Sequence, residues 1–302
     1  MRVAATASAL ILSLAGAGCA SSVASGSGKL RVVTAFYPVQ FVAARVGGDL
    51  VEVSNLTPPG GEPHDLELRP SDVRALRQAD VILYLADGFQ PALEDAIKAL
   101  PGRSRAIDLL AGLPLKAPVG KNEENVTVDP HVWLSPSLMA RLVDRIRDAL
   151  ASKLPGRAAE FERKAAALKT DLGMLDIEYR AKLSHCALRE FFTSHAAFAY
   201  LAERYGLRQV AITGLSPEAE PSPARLREVA GLARANHATT IFFETLVSPR
   251  VAQTVARIVG ANTAVLDPIE GLTNSERTAG GDYFSVMRSN LDSLARGLEC
   301  AA

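Results

Sequence analysis

Histidine is scarce in this chain, with five among 302 residues, so each can be weighed singly. Cysteine is scarcer, with three. An excess of charge of either sign is also missing: 33 basic residues cancel 33 acidic ones. No long basic stretch occurs, and nucleic acid is not an expected partner. No apolar run reaches the ~20 residues that a membrane-spanning helix needs. No His-Glu-x-x-His motif and no nucleophile elbow is present, so two common hydrolase signatures are excluded. What the chain does have is apolar content: 48% of it is hydrophobic, ample for packed cores in two domains of ordinary size.

The first residues read as an export signal. Arg2 supplies a minimal positive start, and Val3 to Leu14 is an apolar, small-residue run too short for a stable anchor. Small residues then lead to Cys19, which resembles the lipidated cysteine of a bacterial lipobox. Gly16 stands where a lipobox usually has leucine, and an ordinary cleaved signal with an incidental cysteine is the alternative. Ala20 to Gly28 is rich in serine and glycine and suits a flexible tether. The expected location is the outer side of the cell membrane, held by a lipid. With Cys19 set aside, Cys186 and Cys300 remain, an even count in an exported chain. They are either a disulfide or two free thiols.

Strand-like and helix-like segments alternate after the tether. Leu30 to Phe36, Val51 to Leu56 and Val81 to Ala86 read as strands, and Pro38 to Val46 as a helix. Ser71 is placed as the cap of a helix starting at Asp72, and Ser135-Pro136 as the start of another. Arg157 to Ser184 contains no proline, and Phe161, Ala165, Leu168, Leu172, Leu175 and Tyr179 fall on one face. That stretch predicts a helix some 40 Å long, able to act as a stiff strut. Beyond it the rhythm repeats. Arg189 to Thr193, Arg208 to Thr213, Thr240 to Glu244 and Thr263 to Leu266 read as strands. Helices open at Ser222-Pro223 and Ser248-Pro249, and a last one runs from Tyr283 to Leu298. The expected fold is α/β: two lobes with mainly parallel sheets joined by the long helix. The boundaries are a signal at 1–18, a tether at 19–29, lobes at 30–154 and 185–302, and the linking helix at 155–184.

Four residues stand out as candidate metal ligands. His64 lies in a stiff Pro/Gly loop after a strand, His131 just before a helix, and His195 and Asp267 each after a strand. Ligands in open α/β folds gather outside the carboxyl ends of strands, so a cleft between the lobes could collect all four. Three imidazoles and a carboxylate suit zinc, or manganese if the carboxylate binds through both oxygens. A lone histidine is more often structural, and dispersed ligands have no local signature. Glu244 is the rival to Asp267 for the fourth place. Glu62, Asp65, Asp129 and Glu244 either orient imidazoles or serve as surface and capping residues. His185 and His237 fit structural or exposed positions.

The stretches GGEPHDLELRPSD, DPHVWLSP, TSHAAFAYLAERYGL, GLSPEAEPSP, TIFFETLVSP and VLDPIEGL together resemble the solute-binding lipoproteins of zinc and manganese ABC importers. The likeness runs from Leu30 to Cys300. It implies two α/β lobes joined by a long helix, with His64, His131 and His195 as ligands and Asp267 completing the shell. It also implies capture of zinc, or manganese, for a membrane ABC permease, by a monomeric lipoprotein with no catalytic role. Many zinc importers carry a histidine-rich loop before the second motif, whereas Lys116 to Val128 has none. The competing functions are a zinc hydrolase with three histidines and an open position, and a surface adhesin, for which no adhesive repeat is found.

Overall fold

A computed structural model describes residues 28–101, 105–118 and 126–301. The expected signal sequence and the expected lipidation site at Cys19 lie outside the described residues. Four short apolar segments form the first sheet: β1 (Leu30–Thr34), β2 (Val51–Asn55), β3 (Val81–Tyr84) and β4 (Ala106–Asp108). They pair in the order β2-β1-β3-β4, with every neighbouring pair parallel. Parallel strands need crossovers, and these are helices: α1 (Tyr37–Gly47), α2 (Pro70–Gln78) and α3 (Pro91–Lys98). β1 (LRVVT) and β3 (VILY) each carry a run of consecutive buried residues in place of alternation, as expected of a sheet covered on both sides.

α4 (Pro136–Lys153) follows, and then α5 (Ala158–Leu183), 26 residues long. The second sheet contains β5 (Glu190–Thr193), β6 (Arg208–Ala211), β7 (Thr240–Phe243) and β8 (Asn262–Val265), in the order β6-β5-β7-β8 and again parallel. Its helices are α6 (Ala199–Arg204), α7 (Pro223–Ala235), α8 (Arg250–Val259), α9 (Asn274–Thr278) and α10 (Tyr283–Gly297). The two-sheet α/β architecture with a long joining helix agrees with the sequence reading.

α5 buries Phe161, Ala165, Leu168, Leu172, Leu175 and Tyr179, the face its periodicity predicts, and also Leu183. It is tied to both halves. Asp171 accepts from Arg45 of α1 at 3.0 Å, and Lys169 donates to Asp144 of α4 at 2.6 Å. Farther along, the Tyr179 hydroxyl donates to the Met287 carbonyl at 2.6 Å, and Asp176 takes Arg204 at 2.8 Å. One hydrophobic core is continuous from Val32 and Phe36 through α5 to Phe191, Tyr283 and Leu294. A smaller one, around Val229, Ile241 and Val255, lies beneath α7 and α8.

Cys186 and Cys300 are joined as a disulfide that closes a separation of 114 residues. Closing a loop of that size contributes about 4–5 kcal/mol in the chain-entropy model. The start of α2 differs from the sequence reading. It begins at Pro70, with Arg69 as N-cap, and not at Asp72 behind Ser71. The reason is local chemistry: proline is preorganised for the first helical position, and Asp72 at the third reaches back to accept from the Arg69 N–H at 2.9 Å.

Candidate metal centre

Every candidate acid or imidazole of the second half lies beyond the carboxyl end of a strand. His195 comes two residues after β5, Glu244 directly after β7, and Asp267 two residues after β8. His64 sits in the loop after β2, held by Gln90, whose Nε2 donates to the Pro63 carbonyl at 3.1 Å. His131 caps the 3-10 turn Val132–Leu134 that leads into α4.

The fold brings His64, His131 and His195 together, and with them a residue that sequence reasoning did not single out, Glu270. Glu270 Oε1 lies 3.2 Å from His64 Nε2, 3.2 Å from His131 Nε2 and 3.4 Å from His195 Nε2. His131 Nε2 and His195 Nε2 are 3.3 Å apart. A tetrahedral zinc ion with bonds of about 2.0–2.1 Å sets its donors about 3.3–3.4 Å apart. Those four spacings match the edges of a zinc tetrahedron, and all four donor atoms lie within 4.8 Å of one another. His131, His195 and Glu270 are fully buried, and the His64 side chain is 10% exposed.

The expected fourth ligand, Asp267, is not in this group. Its Oδ1 accepts from the backbone N–H of Ile269 at 2.6 Å and its Oδ2 from the Thr245 hydroxyl at 2.7 Å. A short carboxylate before proline folds back on its own turn, which is what Asp-Pro sequences favour. Ile269 then adopts φ 58°, a left-handed conformation that costs a β-branched residue roughly 1–3 kcal/mol. The chain reverses there, and Glu270, with a longer side chain, reaches the imidazoles. The sequence held a signal for this: VLDPIEGL carries two acids, and the one beside a turn-forming proline caps the turn.

Glu244 does not join the donor group either; it stands behind His195, whose Nδ1 donates to Glu244 Oε1 at 2.5 Å. Asp129 does the same for His131 at 2.8 Å. These bonds place a proton on Nδ1 and leave Nε2 free to offer its lone pair. Glu62 Oε1 accepts from the His64 backbone N–H at 3.0 Å. Asp65, His185 and His237 are exposed and outside the group. Aromatic rings wall it, with Phe89 4.8 Å from the His64 ring and Trp133 5.0 Å from that of His131. A cavity of about 480 Å³ lies against Glu270, lined also by Tyr37, Phe41 and Leu272.

The electrostatics ask for a cation. Among the described residues, the ion-pair partners of the buried Glu270, Glu244 and Asp129 carboxylates are the three imidazoles alone. Glu270, Glu244, Asp129 and Glu62 each keep one buried oxygen with no hydrogen-bond partner. Burial works against a charge on His195, but the Glu244 and Glu270 carboxylates outweigh it and raise its pKa well above the ordinary value. His131 is raised too, its bonds to Asp129 and Glu270 overcoming burial. His64 is lowered by burial. Against its own burial, the charge of His195 and the bonds to the histidines hold Glu270 well below the usual carboxylate range. Burial, then the Glu270 charge, pushes Glu62 up to about 9, and burial pushes Asp267 up to about 7. The group therefore balances charge with protons where a divalent ion could do it better.

Known proteins share this arrangement of sequence and fold. The chain is 39% identical over 287 residues to the zinc-binding protein AdcA of Streptococcus pyogenes, an alignment covering 88% of this chain and 56% of that protein. It thus spans little more than half the length of that relative. It is 35% identical over 298 residues to the high-affinity zinc uptake system protein ZnuA of Bacillus subtilis, covering 93% of each. The Zn(II)-bound ZnuA-like domain of Streptococcus pneumoniae AdcA superposes with a TM-score of 0.78 at 38% identity, covering 90% of this chain and 100% of that one. The family model for the periplasmic zinc-uptake complex component A matches residues 32–297. With nearly all of the described chain inside that match, the protein belongs to the zinc-uptake component A family.

Proposed function

We propose that this protein captures one zinc ion outside the cytoplasm and hands it to an ATP-driven membrane permease. His64, His131 and His195 through Nε2 and Glu270 through one oxygen are its ligands. The observation that carries this reading is the set of 3.2–3.4 Å spacings among four converging donor atoms. Three nitrogens and a single carboxylate oxygen at tetrahedral spacing favour zinc over manganese, which suits larger, oxygen-rich shells. Four protein donors close the shell, whereas a hydrolytic zinc site keeps a position for water, so capture is preferred over catalysis. The relatives named for zinc binding and for zinc uptake support the same cargo. Anchoring through a lipid on Cys19 and action as a monomer complete the proposal.

Calorimetry with zinc and with manganese tests it. One zinc per chain is expected, with manganese weaker. His195→Ala should weaken zinc binding at least a hundredfold, which removes about 2.7 kcal/mol of zinc-dependent stabilisation at saturating ion. An undiminished response in His195→Ala, or several zinc ions per chain, would refute the site.

A further inference from the structure

Asp267 is buried, yet neither of its oxygens faces the four donors. One holds the Ile269 N–H and the other the Thr245 hydroxyl. Its backbone is clamped as well. The Asp267 N–H donates to Asn290 Oδ1 at 2.8 Å, and its carbonyl accepts from Asn290 Nδ2 at 2.6 Å. The next carbonyl, that of Pro268, accepts from Trp133 Nε1 at 2.7 Å. All three residues before Glu270 thus have a backbone polar group fixed by a buried partner. The last, Ile269, is fully buried and left-handed, a conformation its branched side chain does not adopt unaided.

We propose that Asp267 is the positioning residue of Glu270: with Thr245 and Asn290 it holds the left-handed turn at Ile269, and that turn sets where the Glu270 oxygen stands. Asp267 acts through Glu270 and touches no ion. Release of the Asp267 bond to Ile269 lets the turn relax to right-handed or extended backbone, which swings Glu270 away from the three imidazoles. The histidines do not move with it, because they belong to separate segments: the loop that Gln90 holds after β2, the residues following β5, and the turn before α4. The inference rests on the proposed ligand set.

The test is a double-mutant cycle read by zinc competition with a chromogenic chelator, together with cobalt(II) absorption spectra. Asp267→Ala should weaken zinc binding by about 10–100-fold, the range for losing an orienting partner, and Glu270→Ala by at least as much. The double variant should match Glu270→Ala within about twofold, because the first change has nothing left to act through. Asp267→Asn, which keeps an acceptor for Ile269 and can donate to the Thr245 oxygen, should restore most of the affinity. The cobalt spectrum of Asp267→Ala should resemble that of Glu270→Ala, a signature that general destabilisation would not produce. Should Asp267→Ala fail to fold, Thr245→Val goes through the same cycle with a smaller effect expected. Wild-type affinity in Asp267→Ala, or an equal loss in the Glu270→Ala background, overturns the inference. If Glu270→Ala itself binds zinc like wild type, the ligand set is what fails.

Discussion

Two of the three imidazoles carry a buried acid on the nitrogen that points away from Glu270. That acid fixes the tautomer, and it also makes the imidazole more basic, so ion and proton compete for Nε2. The sign follows from the shifts. His131 and His195 are raised, so without metal they hold protons above the ordinary imidazole value of about 6.5. Zinc must expel those protons, and its affinity rises with pH until they are gone. Histidines of ordinary pKa would confine the weakening to below about pH 6. Here it should begin at a higher pH than that and approach tenfold per pH unit, one released proton giving a slope of one. His64, shifted down, adds nothing to that slope near neutrality. Calorimetry at pH 7.5 in buffers of different ionisation enthalpy should report release of about one proton or more per zinc. Zero release would remove the raised imidazoles from the account.

At the scale of elements, the parts legible in the sequence were those that periodicity dictates. The buried face of α5 followed from apolar spacing alone, and β1, β5 and β7 from short runs bounded by turns. Short β4, α6 and α9 offered too few residues for a period to show. The three histidines were singled out by the family resemblance of the motifs that carry them, since rarity and placement alone left structural roles open. Glu270 was not, because its role depends on a left-handed isoleucine that no propensity announces. The midpoint of α5 raises a separate question of stability. Gly173 is exposed on this helix, and a methyl group added there would meet nothing within 4 Å. Its φ is not of the kind that only glycine favours. Gly173→Ala should therefore stabilise the protein by about 0.5–1 kcal/mol, through the unfolded chain's lost freedom, and leave zinc affinity unchanged. Thermal melts of the metal-free protein check the first part. A fall in melting temperature would mean that α5 needs the flexibility.

For the whole molecule the question is how far the two halves travel when the ion binds. A receptor whose ligands are split between lobes on a flexible hinge must close to collect them. Here the donors from both halves already stand at bonding separations, with His64 and His131 from one side and His195 and Glu270 from the other. The halves are also fastened elsewhere. Trp133 of the first bonds the Pro268 carbonyl of the second, and Tyr283 of the second bonds the Trp133 carbonyl at 2.6 Å. The Tyr200 hydroxyl donates to the Asp129 carbonyl at 2.7 Å, two residues from His131. α5 runs along both halves, and one core passes between them. Opening would break these contacts and expose apolar surface. Zinc binding should therefore change the radius of gyration by well under about 1 Å, as in other preorganised complexes, with movement confined to the loop around His64. Small-angle scattering of the metal-free and zinc-loaded protein measures this. A contraction of several ångströms would show that the halves part in solution when the ion leaves.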